Sequence, residues 1–226
     1  QNIGMTIEDA RKSVDAVAKM HANWWGKGDA LAEAGKTVSL GDPIYPAVLP
    51  FVFGEGWAKL TAEMSLPQAI LEIGPHFSEA LPKLLSSMVV GPNTLCHGDY
   101  RADNLLFNEN NEPVAIDFQL LGTGTGAYDI AYFVTQSLTP EVASKHERDL
   151  FDQWVAALIT HGAPAGLVDR DALWLHYRTA ALFCLAYPVI ASRGMDLSDL
   201  RQRTLIEVMT NRFDRAVREL NLAELL

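Results

Sequence analysis

What this sequence of 226 residues lacks narrows the possibilities first. Cys96 and Cys184 are its only cysteines, far apart in apolar stretches (Thr-Leu-Cys-His and Leu-Phe-Cys-Leu). Neither a disulfide framework nor a paired-cysteine metal knuckle can be built from them. Buried free thiols in a reducing, cytoplasmic compartment are the expectation. Long apolar runs are missing too. The longest, Ala180 to Ala191, is interrupted by Pro188 and falls short of the roughly 20 residues a membrane helix needs, so no membrane partner is expected. The stretch Gln1 to Asp9 has neither the basic start nor the apolar core of a secretory signal. Positive charge is in deficit: 18 Lys+Arg face 28 Asp+Glu, a net charge of −10. That balance repels phosphate backbones and argues against nucleic acid as the partner. There is no internal repeat and no low-complexity tract, so solenoid and linker readings fall away.

What remains is ordinary globular composition, with 49% apolar and 20% charged residues, enough for one large domain with a real core. Thr6 to Trp25 shows apolar residues at helical spacing behind a Thr6/Asp9 cap. Gly26 to Pro50 is rich in Gly and Pro and reads as a loop ordered by packing. Helical segments follow near Glu55 to Met64 and Pro67 to Met88. Strand signals appear only in the middle, where Leu105-Leu106-Phe107 and Val114-Ala115-Ile116 flank a turn-rich connector and predict a hairpin. Beyond Gly126 helices return, over Tyr128 to Ser137, Pro140 to His161, Asp171 to Ala191 and Ser198 to Leu220. Trp154, Trp174, Tyr177 and Phe183 recur at helical spacing and read as core. The histidines at 21, 76, 146, 161 and 176 show no metal-ligand spacing, so packing or exposure is expected of each.

Chemistry concentrates at the hairpin. His97-Gly98-Asp99-Tyr100-Arg101-Ala102-Asp103-Asn104 precedes its first strand, and Asp117-Phe118-Gln119 follows its second. Antiparallel pairing brings the outer strand ends together, which predicts Asn104 beside Asp117. An amide oxygen and a carboxylate aimed at one point suit Mg²⁺, which completes its shell with water and substrate phosphates. Asp99, on the same loop, is placed to take a proton from a hydroxyl nucleophile. Singly, these residues are common turn formers; jointly, Asp-x-x-x-x-Asn followed by Asp-Phe after a hairpin matches the layout of phosphoryl-transfer enzymes. Asp129, near a helix N-terminus, reads as a cap that could also tether the Asp99 loop.

With His97-Gly98-Asp99 in place of His-Arg-Asp, the segment resembles the aminoglycoside phosphotransferase and choline kinase superfamily, small-molecule relatives of the protein kinases. Asp117-Phe118-Gln119, the Gly122 to Gly126 loop and Asp129-Ile-Ala-Tyr-Phe look most similar to its ecdysteroid-kinase-like branch and bacterial relatives. Met20-His21-Ala22-Asn23-Trp24-Trp25 resembles the end of the helix that opens the C-terminal lobe in that group. The resemblance runs from the first helix to about Leu138. It implies a mainly α fold with a small β-hairpin, the C-terminal (helical) lobe of a protein-kinase-like α+β fold. Within residues 1–226 it implies a catalytic loop at 97–104, a metal-binding segment at 117–119 and a helical subdomain at 127–226. The implied activity moves the ATP γ-phosphate to a small-molecule hydroxyl, with Mg²⁺ and ATP as cofactors. Asp99 matches the catalytic base, Asn104 and Asp117 the metal ligands, and His97 a brace for the loop. Gln119 stands where protein kinases have Gly, so an in-and-out flip of the Asp117 segment is not implied. Arg101 is a candidate contact for substrate or phosphate, with a salt bridge inside the loop as its alternative. Tyr132 and Gln136, one turn apart, are further candidate substrate contacts.

The same template needs a glycine-rich turn over the phosphates and a strand lysine for them. Residues 1–96 contain no G-x-G-x-x-G, and Lys12, Lys19, Lys27, Lys36, Lys59 and Lys83 all lie outside any Val-Ala-Ile-Lys type strand. The expectation is therefore the C-terminal lobe alone, inactive in isolation, whose partner is a missing N-terminal lobe. An apolar face near the first helix or the Gly26 to Pro50 segment would then be open to self-association. A non-catalytic helical binding or regulatory module on the same scaffold is the alternative. A Mg²⁺-dependent hydrolase using His97, Asp99 and Asp117 lacks the denser carboxylate and histidine cluster of such sites.

Overall fold

The computed structural model describes residues 3–226. Its first helix, Ile7–Trp24 (α1), begins where Thr6 accepts a hydrogen bond from the Asp9 N–H at 3.2 Å, as the capping pattern predicts. Its buried stripe of Ala10, Val14, Val17 and Ala18 packs against Pro140–Thr160 (α6).

The Gly26 to Pro50 stretch is not a loop. It contains Gly28–Glu33 (α2), the short strand Val38–Ser39 (β1) and the start of Ile44–Glu63 (α3). The prolines tolerate this because Pro43 is the N-cap of α3 and Pro46 falls in its first turn, where backbone N–H groups have no helical partner. Pro50 does remove one interior bond. Packing offsets that loss: α3 lies on Gln68–Ser87 (α4) and on Ala186–Ser192 (α8), with the Phe53 and Phe77 rings 4.6 Å apart.

The expected helix from Asp171 to Ala191 is divided into Arg170–Phe183 (α7) and α8. Pro188 has no N–H to give the Cys184 carbonyl and its ring would clash there. In the divided arrangement Pro188 sits in the first turn of α8 instead, where no N–H is needed. At the centre lies Ala127–Ser137 (α5), every residue of which is buried. It is enclosed by α6, α7 and Leu200–Glu219 (α9). Trp154, Tyr177 and Phe183 are core, as their spacing predicts, whereas Trp174 is only partly buried against it.

Two small sheets lie beside this helical body. Leu105–Phe107 (β3) and Pro113–Ala115 (β4) form the expected hairpin, antiparallel with Leu105 opposite Ala115. Asn108 closes its turn by accepting from the N–H groups of Asn110 and Glu112, both at 2.9 Å. Gly122–Gly124 (β5), read from sequence as a glycine loop, is instead the central strand of a second sheet. It runs antiparallel to Thr94–Cys96 (β2) and parallel to β1. Glycine is a poor strand former, but a Cβ at Gly122 would lie 2.9 Å from the Val38 carbonyl oxygen of the neighbouring β1, a close backbone approach that favours glycine there. Among the described residues no helix is long and apolar enough to cross a membrane. The fold is mainly α with a few short strands, as the sequence predicts.

Cys96 and Cys184 are free and buried, and burial pushes both thiols well above the usual range, with the Asp129 carboxylate adding to the effect. At pH 8 the native chain should therefore take up almost no iodoacetamide over an hour, and the urea-unfolded chain should be alkylated at both positions, as read by intact mass.

Candidate active site

The His97 to Asn104 loop is held from beneath by α5. Asp129, fully buried, does not cap that helix, whose N-cap is Gly126. Its carboxylate instead accepts three hydrogen bonds: from the backbone N–H of His97 at 2.7 Å, from that of Gly98 at 3.0 Å, and from His21 Nε2 at 3.0 Å. The proton on His21 can be assigned. The Trp154 indole N–H, which can only donate, reaches His21 Nδ1 at 3.1 Å. Nδ1 is therefore the lone-pair nitrogen and Nε2 carries the proton given to Asp129. His21, Cys96 and Asp129 bring potential metal-ligand atoms within 4.8 Å of one another. A metal on Nε2 would need an imidazolate while Trp154 holds Nδ1, so the trio is read as a hydrogen-bonded tether.

Further anchors complete the mounting. At the far end of α5, Ser137 Oγ accepts from the Ala102 N–H at 2.9 Å. Tyr128 donates to the Gly98 carbonyl at 3.0 Å, and Tyr100 donates to the Ser13 carbonyl of α1 at 2.7 Å. Gly98 has φ 85°, and a Cβ there would lie 2.0 Å from the Leu120 carbonyl oxygen, so only glycine fits. His97 braces the loop as its position implies. Its Nδ1 accepts from the Asp99 N–H at 3.3 Å, its Nε2 donates to the Ile116 carbonyl at 3.0 Å, and Phe118 packs on its ring at 4.5 Å.

On this mounting Asp99 is nearly buried and its two carboxylate oxygens have different partners. Oδ1 accepts from Arg101 Nε at 2.9 Å, and Oδ2 accepts from Asn104 Nδ2 at 2.8 Å. Asn104 Nδ2 also donates to the Asp99 carbonyl at 2.9 Å. Both partners of that amide nitrogen are pure acceptors, so the orientation of the amide is settled and Oδ1 faces away from Asp99. The sequence-based pairing is off by one residue: Asn104 faces Ile116, whose N–H donates to the Asn104 carbonyl at 2.9 Å, and Asp117 is the next residue. Asp117 is exposed with φ 63°, a left-handed conformation that aspartate tolerates better than most residues.

Arg101 spans Asp99 and Asp103, with Nη1 donating to Asp103 Oδ2 at 2.7 Å, so the salt bridge inside the loop is present. Burial works to lower its pKa, but Asp99, Tyr132 and Asp103 outweigh burial and raise it. Tyr132 is buried, packs on Tyr187 at 4.6 Å, and has its phenol pushed up by burial and by Tyr187 and Asp99. Gln136 is fully buried, donates to the Thr135 carbonyl at 3.2 Å, and its own carbonyl accepts from the buried Arg212. The Gln136 side chain has no exposed surface in this structure. An apolar cavity of about 360 Å³ opens beside Gly98, walled by residues of α3, α8 and the segment after Asp117. Sequence reasoning missed His21, Tyr128, Tyr187 and Arg212, because each acts through a partner distant in the chain. The only available signal was the placement of His21 within the Met20 to Trp25 motif already singled out.

Asp129→Ala would leave two buried backbone N–H groups and the His21 N–H unpaired, at about 1–3 kcal/mol each. Urea unfolding should show a stability loss of roughly 3 kcal/mol or more, with the Trp154 environment altered in fluorescence.

The model of the ecdysteroid kinase-like family matches residues 52–165, a span that takes in Asp99, Asn104, Asp117 and Asp129. No curated protein matches the chain significantly. On half of its length, and on a fold that agrees, this chain belongs to the ecdysteroid kinase-like family, within the protein-kinase-like superfamily that includes the aminoglycoside phosphotransferases.

Proposed function

We propose that the chain is the acceptor-binding and catalytic half of a phosphotransferase that moves the γ-phosphate of ATP to a hydroxyl of a small molecule. The observation that carries this reading is the Asp99 carboxylate, held by Arg101 on one oxygen and Asn104 on the other, in a braced loop whose Gly98 lines an open cavity. A carboxylate so oriented accepts the proton of an attacking hydroxyl, while spare lone pairs on both its oxygens remain after the two hydrogen bonds.

The donor set at the strand ends fits Mg²⁺. Asn104 Oδ1 and the Asp117 carboxylate are hard oxygens with no protein partner among the described residues. These two residues would hold the metal together with the nucleotide phosphates, and the ion would neutralise phosphate charge during transfer. Asp117 keeps its carboxylate at the end of the hairpin through a left-handed backbone, the kind of uncommon conformation that concentrates at functional sites. Arg101 sets the Asp99 carboxylate and shares its charge with Asp103, a positioning role within the loop.

The nucleotide would lie against the outer face of the hairpin. Leu106 and Val114 are paired there and stay 56% and 47% exposed, with Ile116 and Phe118 exposed beyond them. An unpartnered apolar face beside two metal-ligating oxygens supports a nucleotide-holding lobe closing on this side. That lobe is the partner the chain needs for turnover, because positioning and electrostatic stabilisation supply nearly all of phosphoryl-transfer catalysis.

In the enzyme with its nucleotide-holding lobe, Asp99→Ala should lower kcat by about 10² to 10⁴ and leave nucleotide affinity nearly unchanged. Asp117→Ala should abolish Mg²⁺-dependent nucleotide binding along with turnover. Near-normal turnover in both variants would sink the phosphotransferase reading.

Residues 1–226 alone, incubated with Mg-ATP and a panel of alcohols, amino sugars and sterols, should release no ADP above background. Acceptor-stimulated ADP release that disappears in Asp99→Ala would keep the activity and overturn the need for a second lobe.

A further inference from the structure

The cavity beside Gly98 is walled on most sides by α4, α5, α7 and α8, with Leu120 from the segment after Asp117. Leu40, Tyr45 and Leu49 close the remaining side, the last two from the first turns of α3. That side is attached differently from the others. Leu40 is pinned, its N–H donating to the Thr123 carbonyl of β5 at 2.8 Å. The next fixed point is Pro50, whose carbonyl accepts from Ser78 Oγ of α4 at 3.3 Å. Between the two, hydrogen bonds stay local: the Gly41 N–H donates to Ser39 Oγ at 3.1 Å, the Ile44 N–H to Asp42 Oδ1 at 2.9 Å and the Tyr45 N–H to the Asp42 carbonyl at 3.0 Å. Among the described residues, no hydrogen bond joins 41–49 to any part of the chain beyond 39–63. No charged residue lies between Asp42 and Glu55, so no ion pair holds these turns either.

The helical ladder is itself weakened here. Pro50 has no N–H for the Pro46 carbonyl, and its ring crowds that carbonyl, so α3 bends most readily between the two prolines. A helix that is apolar all round is ordinarily buried, yet only Phe53, Gly56 and Leu60 of α3 are. Its first turns are covered on the cavity side alone, with Ile44 and Val48 exposed on the other. Tyr45 and Leu49 are only partly buried even on the covered side. Lifting these turns breaks no salt bridge and no hydrogen bond to the body of the fold, and it uncovers side chains already partly in water.

We propose that residues 41–49 form a lid on this cavity, hinged at Pro50, whose opening governs how fast a ligand enters and leaves. Small pivots of this kind, at a few element-terminal residues, commonly gate access to a site. The lid acts on passage into the cavity and needs no transfer step, so it goes beyond the phosphotransferase reading and can hold or fail independently of it.

Stopped-flow fluorescence on residues 1–226 with N-phenyl-1-naphthylamine, an uncharged probe that brightens in apolar surroundings, reads both rates. Binding should saturate, and Ala191→Trp, at an exposed position of the lining, should weaken it by about tenfold or more, which places the probe in the cavity. Pro50 and Ser78 lie outside the lining. Pro50→Ala supplies the missing N–H to the Pro46 carbonyl and should slow association and dissociation together by about three- to tenfold, the worth of one hydrogen bond. Ser78→Ala releases the pin on Pro50 and should speed both by a similar factor. The dissociation constant should be nearly unchanged in each, because a lid alters the path and not the bound contacts. A fixed wall predicts no change in either rate. No saturable binding, binding indifferent to Ala191→Trp, or rates that do not move in these opposite directions would overturn the lid. If one of the two rate variants does not fold, the direction of the other decides.

Discussion

The structure depends on one buried carboxylate. Placing the Asp129 charge in the interior carries a desolvation cost of several kcal/mol. Three N–H donors offset it, each hydrogen bond to a charged group contributing about 1.5–3 kcal/mol. Satisfying that charge joins four parts of the chain. α5 supplies the carboxylate and α1 the His21 N–H, α6 fixes the His21 tautomer through Trp154, and the end of β2 gives the two backbone N–H groups that start the catalytic loop. Thr94 adds a further link by donating to the His21 carbonyl at 2.7 Å. A loop that must present charged side chains on one side is thereby rigid on the other.

That asymmetry explains the distribution of burial around the site. Beneath the loop everything is closed: α5 is wholly buried, Gln136 and Arg212 are shut in, and Ser137 holds Ala102. Above it the chain is open, with Asp117 exposed in a left-handed conformation and the apolar edge of the hairpin without a partner. Asp99 sits at the boundary. Its two hydrogen bonds come from residues of its own loop, so its orientation is set locally, while the position of the loop is set by α5. The Gly98 peptide is where the two meet: its N–H goes to Asp129, its carbonyl to Tyr128, and its missing Cβ makes room for the Leu120 carbonyl.

Much of this was legible without coordinates, and the parts that were legible are local. The Thr6 cap, the stripe of α1, the hairpin and its Asn108 turn, and the Asp99-to-Asn104 spacing all depend on residues a few positions apart, where backbone propensity and side-chain chemistry act directly. Rules of local propensity failed where packing outweighed them. Pro46 and Pro50 argued for a loop, yet α3 persists because its buried face meets α4 and α8. Gly122-Thr123-Gly124 argued for a loop, yet the close approach of the Val38 backbone to Gly122 lets glycine serve in a central strand. The one-residue slip at Asn104 had a smaller cause: β4 begins at Pro113 where Val114 was expected, and register follows strand ends.

The sequence by itself determined the helical class, the hairpin, the residues that carry the candidate chemistry and the family they resemble, because each is written in short spacings that any fold of this chain must respect. Only the tertiary structure decided which of those residues touch. His21 and Asp129 lie 108 positions apart, and Trp154 lies 133 from His21. No local propensity links such positions, and hydrogen bonds in a desolvated core depend on distances that exist only once the helices have packed. The same holds for the cavity beside Gly98, whose lining is drawn from segments as distant in the chain as Leu40 and Ala191.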